Sequence, residues 1–205
     1  QQKQNLYEPL KGIKVIEVAQ GVAGPHCGKI LAGLGAEVLK VELPPDGDWS
    51  RKFGPMIPSK DDLESSALFL HNNTGKKSVV MDWTEKEGFA NLQNLINKSD
   101  ILIEDWNLKD RESLNISKDF FIKQNPKLIE MCVTAFGLSG PYSTYKSTPM
   151  ILFALGGFMN IMGSPDKKPI MLPGFQADYV TGINANNAIQ IALWERDSIS
   201  NKGQF

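Results

Sequence analysis

The sequence predicts an α/β fold with a Rossmann-like open parallel sheet and helices on both faces. Short runs rich in Val and Ile alternate with longer segments of helical period up to about Phe136. That alternation is typical of a parallel sheet whose two faces are both covered. The composition agrees, because hydrophobic residues make up 41% and charged residues 22% of the 205 residues. These fractions are close to the average for soluble globular domains.

The first two strands and the helix between them form a predicted βαβ unit. Strands are expected over residues 13–18 and 37–42, with a helix over about 25–34. Pro25 in the first turn of this helix and Gly35 just past its end follow the usual positions of these residues at helix ends. The connection is short enough for a single crossover.

A long polar segment, residues 44–66, follows the second strand and carries Gly, Pro and Asp turn signals without a periodic pattern. Loops of this length are uncommon unless they cover a site or a partner. The segment is therefore expected to lie near a site.

The remaining elements continue the alternation and end in two helices. Their signals are Val and Ile runs, a capping box formed by Thr84 and Glu87, a cap at Ser117, and a Gly pair inside an apolar helix. We predict strands over residues 78–82, 101–104 and 127–134, and helices over 84–97, from 117 to just before 125, 149–161 and 178–195.

Composition excludes several classes of function. A net charge of −1 and a pI of about 6.2 give no basic surplus for nucleic acid or an anionic membrane. The longest apolar segment, residues 150–162, is interrupted by polar residues and glycines and is too short to span a bilayer. The start lacks the design of a signal peptide, and the absence of an initial Met suggests numbering that begins inside a longer chain or after processing.

Cysteine and histidine are too scarce for a metal site. Two cysteines, Cys27 and Cys132, and two histidines, His26 and His71, make a disulfide framework or zinc site improbable and fit a reducing cytoplasm. No metal is expected. His26 and Cys27 cannot act as base and nucleophile, because helix neighbours point about 100° apart. We expect His71 to be an ordinary loop residue.

Three features admit a functional and a structural interpretation. The segment AQGVAGP, residues 19–25, joins a strand to a helix start and suits a phosphate, although it matches neither common nucleotide motif. Lys76 and Lys77 could meet a phosphate, but a solvated basic turn is the preferred interpretation. Trp106 lies where an adenine ring could rest, and a half-buried packing role is the alternative.

Asp178 is the carboxylate singled out by its position between a Pro-Gly loop and an apolar helix. Amides at a helix start would keep it ionised as a nucleophile toward an activated acyl group. The same position suits an ordinary N-cap, which contributes roughly 1 kcal/mol. Both roles stay open on the residues alone.

Six segments together resemble one enzyme family. They are LKGIKVIEVAQGVAGPHCGKILAGLGAEVLKVE, KKSVVMDWTEKEG, ILIEDW, NPKLIEMCVTAFGLSGPY, PGFQADYVTG and WERDSISNKGQ. In order and spacing they are similar to the family III CoA-transferases, which include formyl-CoA transferase, carnitine CoA-transferase and the related alpha-methylacyl-CoA racemases. The ADY triplet is most similar to that of carnitine CoA-transferase.

The resemblance implies that coenzyme A, as acyl-CoA, binds along the strand ends and that CoA moves to a small carboxylic acid. Asp178 matches the family aspartate that takes the acyl group as a mixed anhydride and then forms an aspartyl-CoA thioester. An interlocked homodimer is also implied. The contacts to CoA carry over to Val22, Ala23, Met81, Asp82, Trp83, Thr84, Asp105, Trp106, Asn107 and Lys146.

Departures from the family pattern favour transfer over racemisation. Leu43 and Pro44 stand where many members carry Arg. Ser113 stands where another Arg is expected, although Arg111 is close enough to substitute. Pro149 replaces an acidic residue that is often found there, or the histidine of a racemase. An acyl-CoA racemase is therefore the weaker alternative.

The length predicts only part of such an enzyme, because family members are about twice as long. We expect an N-terminal extension over residues 1–10, the CoA-binding large domain over 11–197, the start of an interdomain linker over 198–205, and no second domain. A non-catalytic, truncated CoA-binding fragment is the other alternative.

Overall fold

A five-stranded parallel sheet forms the centre of the computed structural model, which describes residues 7–58 and 62–205. All four strand pairs are parallel, so the predicted fold class is confirmed. The predicted extension over residues 1–10 lies partly outside the described residues. The strands are β1 Lys14–Glu17, β2 Glu37–Glu42, β3 Lys77–Val80, β4 Ile101–Glu104 and β5 Ile129–Cys132.

Eight α-helices connect or cover these strands in the described part of the chain. They are α1 Ala23–Gly33, α2 Ala67–Asn73, α3 Lys86–Ile96, α4 Leu108–Ser113, α5 Phe120–Gln124, α6 Pro149–Leu155, α7 Phe158–Ile161 and α8 Gln176–Glu195.

The strand order β3-β2-β1-β4-β5 places a switch point between β1 and β4. The chain builds outward from β1 to β2 and β3, then returns to place β4 on the other side of β1. Connections after β1 and β4 therefore leave in opposite directions. A crevice opens between them at the carboxyl ends of the strands, where open α/β sheets bind ligands.

Both faces of the sheet are buried, which explains the uninterrupted apolar runs of the strands. In β4, Ile101, Leu102 and Ile103 have no exposed surface. Ile101 and Ile103 pack on the side of α1 and α8, whereas Leu102 packs on the side of α3 and α5. Each such side chain contributes roughly 1.5–3 kcal/mol of hydrophobic stabilisation.

Helix α8 lies close against α1 because small residues line the contact. A Cβ added at Gly182 would lie 2.6 Å from the carbonyl oxygen of Ala23 and 3.1 Å from Cβ of His26. Ala185 and Ala192 are also buried in this layer. The first turns of the two helices are consequently neighbours.

Several predicted boundaries and caps differ from the structure. Glu85 occupies the N-cap of α3 without a side-chain bond, and the Thr84 hydroxyl donates instead to Asp82 Oδ1 at 2.5 Å. Asp119, not Ser117, is the N-cap of α5. The predicted caps were therefore wrong, because a serine or threonine near a helix start also suits turn contacts of its own.

The predicted helix over residues 149–161 is two helices. Gly157 adopts φ +77° and separates α6 from α7, a left-handed conformation that glycine adopts without strain. The Gly pair is thus a break and not a packing point inside one helix.

Two short helices were not predicted. Ser66 caps α2 by accepting the N–H of Phe69 at 3.1 Å, and α2 places His71 on a helix instead of in the expected loop. Asn107 and Asp110 form a capping box at the start of α4. The spacing of Asn107 and Asp110 is a recognisable sequence signal.

The last residues return to the edge of the sheet. Gln204 pairs with Ile129 in a parallel bridge, and the N–H of Glu130 donates to the Gln204 carbonyl oxygen at 2.9 Å. The division into a large domain and a linker stays a prediction.

Candidate functional site

A cleft of about 490 Å³ lies at the switch point. The loops after β1, β4 and β5 form its floor, and the first turns of α1 and α8 form one wall together with α6. Its volume and largely apolar lining with a few polar groups are typical of a small-molecule site. Lining residues are Gln20, Val22, Ala23, Gly24, Trp49, Asp105, Val133, Thr134, Ala135, Ser147, Leu152, Phe153, Gly156, Phe158, Leu172, Gln176, Ala177, Asp178, Val180 and Thr181.

Asp178 lines this cleft from the first turn of α8. The N-cap of α8 is Phe175, so the interpretation of Asp178 as the N-cap was wrong. No other residue in the described part of the chain donates a hydrogen bond to its carboxylate. Burial raises the pKa of Asp178, an effect that a hydrogen bond from its own amide only partly opposes. The expected extra stabilisation of the ionised form is therefore not found.

Burial suits a nucleophile better than a cap. A carboxylate that is partly desolvated and has no partner keeps its lone pairs available for attack on an acyl carbon. Asp178 combines both properties inside the cleft.

The first turn of α1 faces the same cleft. Its N-cap, Val22, makes no side-chain capping bond. Among the described residues, none accepts a hydrogen bond from the N–H groups of Val22, Ala23 or Gly24. Free N–H groups at a helix N-terminus stabilise negative charge. The geometry thus places anion-binding amides in the same cleft as an unpaired carboxylate.

A second carboxyl group, Asp105, lies on the floor of the cleft directly after β4. Its Oδ2 accepts the N–H of Gln20 at 2.9 Å and so links the ends of β1 and β4. Burial raises the pKa of Asp105 to about 7. Asp105 also lines an adjoining cavity of about 280 Å³ that includes Asn107.

The predicted ligand-contact residues do not all lie together. Val22, Ala23, Asp105 and Asp178 line the main cleft, and Asn107 lines its extension. The segment from Met81 to Thr84 follows β3, the edge strand that β2 and β1 separate from β4. Lys146 is exposed on the loop before α6 and precedes Ser147, which lines the cleft.

The two predicted tryptophan contacts are buried in the core. Trp83 is 3% exposed and Trp106 is 5% exposed. The Trp106 ring stacks on Phe121 with centroids 6.1 Å apart. Trp106 therefore packs in the core, with its ring buried instead of half-buried. The contacts of Trp83 and Trp106 to CoA stay predictions.

Lys76 is buried as well, so its interpretation as part of a solvated turn was wrong. Its Nζ lies 2.8 Å from Glu17 Oε2, and its side chain is 2% exposed. Burial lowers the pKa of Lys76 to about 8 against the opposing effect of Glu17. Lys77 is exposed as expected.

Cys27 has no exposed surface, and burial raises its pKa to about 12. A thiol in this environment is not a nucleophile, in agreement with the sequence argument against a His26 and Cys27 pair. The described residues contain no group of three His, Cys, Asp or Glu side chains that could hold a metal ion. None of the described helices is long and apolar enough to cross a membrane.

Sequence reasoning missed some of the cleft. Trp49 belongs to the long polar segment after β2, whose length predicted a covering role without naming a residue. Phe175 packs against Trp49 with ring centroids 5.9 Å apart. Aromatic residues in an otherwise polar segment were the available signal.

Known proteins are similar to this chain in sequence and in fold. Succinate–glutarate CoA-transferase of Agrobacterium fabrum is 39% identical over 92% of this chain and 48% of its own length. The beta subunit of succinyl-CoA–L-malate CoA-transferase of Chloroflexus aurantiacus is 35% identical over 96% of this chain and 48% of its own length. The chain thus spans about half the length of these curated relatives.

A solved structure is similar to this chain in fold as well as in sequence. The crystal structure of a CaiB/BaiF family protein from Brucella suis superposes with a TM-score of 0.87 at 36% identity, covering 97% of this chain and 52% of that one. Residues 10–205 match the sequence profile described as CoA-transferase family III. This chain therefore belongs to CoA-transferase family III.

Proposed function

We propose that this chain acts in CoA transfer between an acyl-CoA and a free carboxylic acid, with Asp178 as the nucleophile. The observation that carries the proposal is the shared cleft. Asp178 lines it without a hydrogen-bonded partner among the described residues, on the same wall as the free amides of α1. Family membership supports acyl-CoA as the substrate class.

The first half of the reaction moves CoA onto the protein. A carboxylate oxygen of Asp178 attacks the thioester carbon of the acyl-CoA, the carbon–sulfur bond breaks, and CoA leaves as a thiolate. The product is a mixed anhydride between Asp178 and the acyl group. The thiolate then attacks the Asp178 carbonyl of the anhydride, which releases the donor acid as a carboxylate and leaves an aspartyl-CoA thioester.

The second half repeats these steps with the acceptor acid. The acceptor carboxylate attacks the aspartyl thioester and displaces the thiolate, which gives a second anhydride. The thiolate attacks the acceptor acyl carbon, so the new acyl-CoA forms and Asp178 is regenerated. Each tetrahedral step develops an oxyanion, which the N–H groups of Val22, Ala23 and Gly24 would stabilise.

Short dicarboxylic acids are the proposed substrates. The Agrobacterium relative is named for succinate and glutarate, and the Chloroflexus relative for succinyl-CoA and malate. Succinyl-CoA is therefore the donor to test first. The homodimer and the cytoplasmic location expected from the sequence are retained as proposals, and sedimentation of the purified chain would measure the dimer.

Trapping experiments test the role of Asp178. The chain is incubated with succinyl-CoA, treated with hydroxylamine and digested for mass spectrometry, while CoA affinity is measured by calorimetry. We expect a hydroxamate at Asp178, and none in Asp178→Asn, which has a similar shape but cannot form an anhydride. Saturable CoA binding without modification of Asp178 would refute the transfer proposal and favour the non-catalytic CoA-binding fragment.

A further inference from the structure

The loop before α1 is held through its backbone by buried side chains from elsewhere in the chain. The carbonyl oxygen of Ala19 accepts a hydrogen bond from Lys40 Nζ at 2.8 Å. Two residues later, the N–H of Gly21 donates to both carboxylate oxygens of Asp48, at 2.9 and 3.1 Å. With the bond from the Gln20 N–H to Asp105 Oδ2, three successive residues between β1 and the cleft amides are held through their backbone.

Lys40 and Asp48 are joined to each other. Lys40 Nζ lies 2.8 Å from Asp48 Oδ2 and 3.1 Å from Glu17 Oε1. The Lys40 side chain is 1% exposed, and those of Asp48 and Glu17 have no exposed surface. With Lys76, which also pairs with Glu17, the cluster holds two cations and two carboxylates, so its formal charge is balanced.

Lys40 keeps its charge in this cluster. Burial alone would lower its pKa, but the neighbouring carboxylates of Glu17 and Asp48 outweigh burial and raise the pKa of Lys40 above its ordinary value. A buried ion pair of this kind adds little net stability over an apolar substitute. Stability therefore does not explain why charged groups occupy these positions.

Asp48 also connects the loop to the segment that covers the cleft. Its Oδ1 accepts the N–H and the hydroxyl of Ser50, both at 2.8 Å, at the start of the 3₁₀ turn Trp49–Lys52. Gly21 has φ +78°, and a Cβ added there would lie 2.3 Å from the Trp49 ring. One carboxylate thus sets both the course of the loop and the position of a cleft-lining aromatic ring.

We propose that Lys40 and Asp48 are positioning residues, which hold the backbone of Ala19 to Gly21 so that the following N–H groups point into the cleft. Neither residue needs to touch the substrate. The Ala19 carbonyl is bound to Lys40, and the Gly21 N–H, which belongs to the same peptide as the Gln20 carbonyl, is bound to Asp48. Rotating either carbonyl toward a developing oxyanion would therefore break the contact that holds its peptide. The link to rate rests on the proposed function, whereas the structural part of the proposal does not.

The test compares two Asp to Asn substitutions. Asp48→Asn removes the charge that faces Lys40 at nearly unchanged volume. The control is Asp100→Asn, because Asp100, like Asp48, accepts a backbone N–H, from Lys14 at 2.9 Å, and pairs with a cation, Arg196 at 3.0 Å. Asp100 directly precedes β4, so it lies at the amino ends of the parallel strands, whereas the cleft lies at their carboxyl ends.

Rate and affinity are measured separately in the 205-residue chain. We expect Asp48→Asn to slow acylation of Asp178 by saturating succinyl-CoA by roughly 10- to 100-fold, because misorientation of catalytic groups costs this much. The dissociation constant for CoA should change by less than about threefold, since contacts remote from the reacting carbon are retained. Asp100→Asn should leave both quantities within about twofold of the unsubstituted chain, because Asp100 is distant from the cleft and shares no partner with it.

Amide exchange tests the structural part without substrate. Exchange of the Gly21 N–H should quicken by about tenfold or more in Asp48→Asn and stay unchanged in Asp100→Asn, because the bond to Asp48 protects it. If Asp48→Asn does not fold, Ser50→Ala replaces it in the test. This substitution removes only the hydroxyl that donates to Asp48, so it should slow acylation and quicken Gly21 exchange by smaller factors.

The outcomes separate this inference from the proposed function. Unchanged Gly21 exchange in both Asp48→Asn and Ser50→Ala would overturn the positioning role, as would an acylation rate equal to that of the unsubstituted chain. Equal losses in rate and CoA affinity that Asp100→Asn reproduces would also overturn it. If the unsubstituted chain never acylates Asp178, the proposed function fails, and Gly21 exchange alone decides whether Lys40 and Asp48 hold the loop.

Discussion

Gly182 sets the distance between the helix that carries Asp178 and the helix that carries the cleft amides. It lies one turn after Asp178 in α8, where a Cβ would lie 2.6 Å from the Ala23 carbonyl oxygen and 3.1 Å from Cβ of His26. A separation of 2.6 Å between a Cβ and a backbone oxygen is not tolerated, so one of the two helices must shift. Gly182→Ala therefore forces α8 away from α1 by an amount on the order of 1 Å.

The expected energies are modest and the expected loss of rate is large. Alanine favours a helix over glycine by about 1 kcal/mol, whereas overpacking typically costs 1–3 kcal/mol. The net effect on the free energy of unfolding is a loss of roughly 0–2 kcal/mol. A displacement of this size between Asp178 and the α1 amides should slow acylation by on the order of 100-fold.

A matched substitution in α1 controls for the change from glycine to alanine. A Cβ at Gly33 meets no atom within 4 Å, so Gly33→Ala should raise stability by up to about 1 kcal/mol and leave acylation unchanged. Urea denaturation measures stability, and trapping with hydroxylamine measures acylation. Normal acylation in Gly182→Ala, or an equal loss in Gly33→Ala, would refute the account of the α1 and α8 contact.

Three further predictions concern groups around the cleft. Because burial raises the pKa of Asp105 to about 7, the folded chain binds this proton more tightly than the unfolded chain, and stability falls as pH rises from about 4 to about 7. Asp105→Asn should lack that part of the fall, a few kcal/mol in urea titrations at stepped pH, and parallel curves for both chains would contradict it. Burial raises the pKa of both Cys27 and Cys132, so iodoacetamide near neutral pH should alkylate neither thiol until urea unfolds the chain. Asn107→Ala removes the capping box of α4 and should lower the free energy of unfolding by about 1 kcal/mol, whereas an unchanged midpoint of unfolding would show that the cap is not needed.

The sheet could be predicted because its signal is local. Buried parallel strands need Val and Ile on both faces, and the fourth strand, Ile101–Glu104, was predicted with its observed bounds. Helix ends were less predictable, since the Thr84 hydroxyl bonds to Asp82 in a turn and the N-caps of α3 and α5 are Glu85 and Asp119. Short helices such as α2 depend on tertiary packing for stability, and sequence periodicity does not detect them.

The candidate site could be predicted only in part for a similar reason. Asp178 was identified from a helix start, and Val22 and Ala23 from the family resemblance and from the loop over residues 19–25 that contains them. The structure brings all three to one cleft. The burial of the Lys76 and Trp106 side chains could not be predicted, because it depends on contacts with residues distant in sequence. These are Glu17 for Lys76 and Phe121 for Trp106.

Transfer of an oxygen isotope tests whether Asp178 forms an acyl anhydride. The chain is incubated with unlabelled succinyl-CoA and with succinate that carries heavy oxygen in its carboxylates. The mass of the peptide that contains Asp178 is then measured by mass spectrometry. If Asp178 forms an anhydride with the acceptor, the bridging oxygen comes from succinate. That oxygen stays on Asp178 when the CoA thiolate attacks the succinyl carbon and breaks its bond to the bridging oxygen. We predict heavy oxygen in Asp178, whereas an unlabelled Asp178, with or without CoA transfer, would contradict the account.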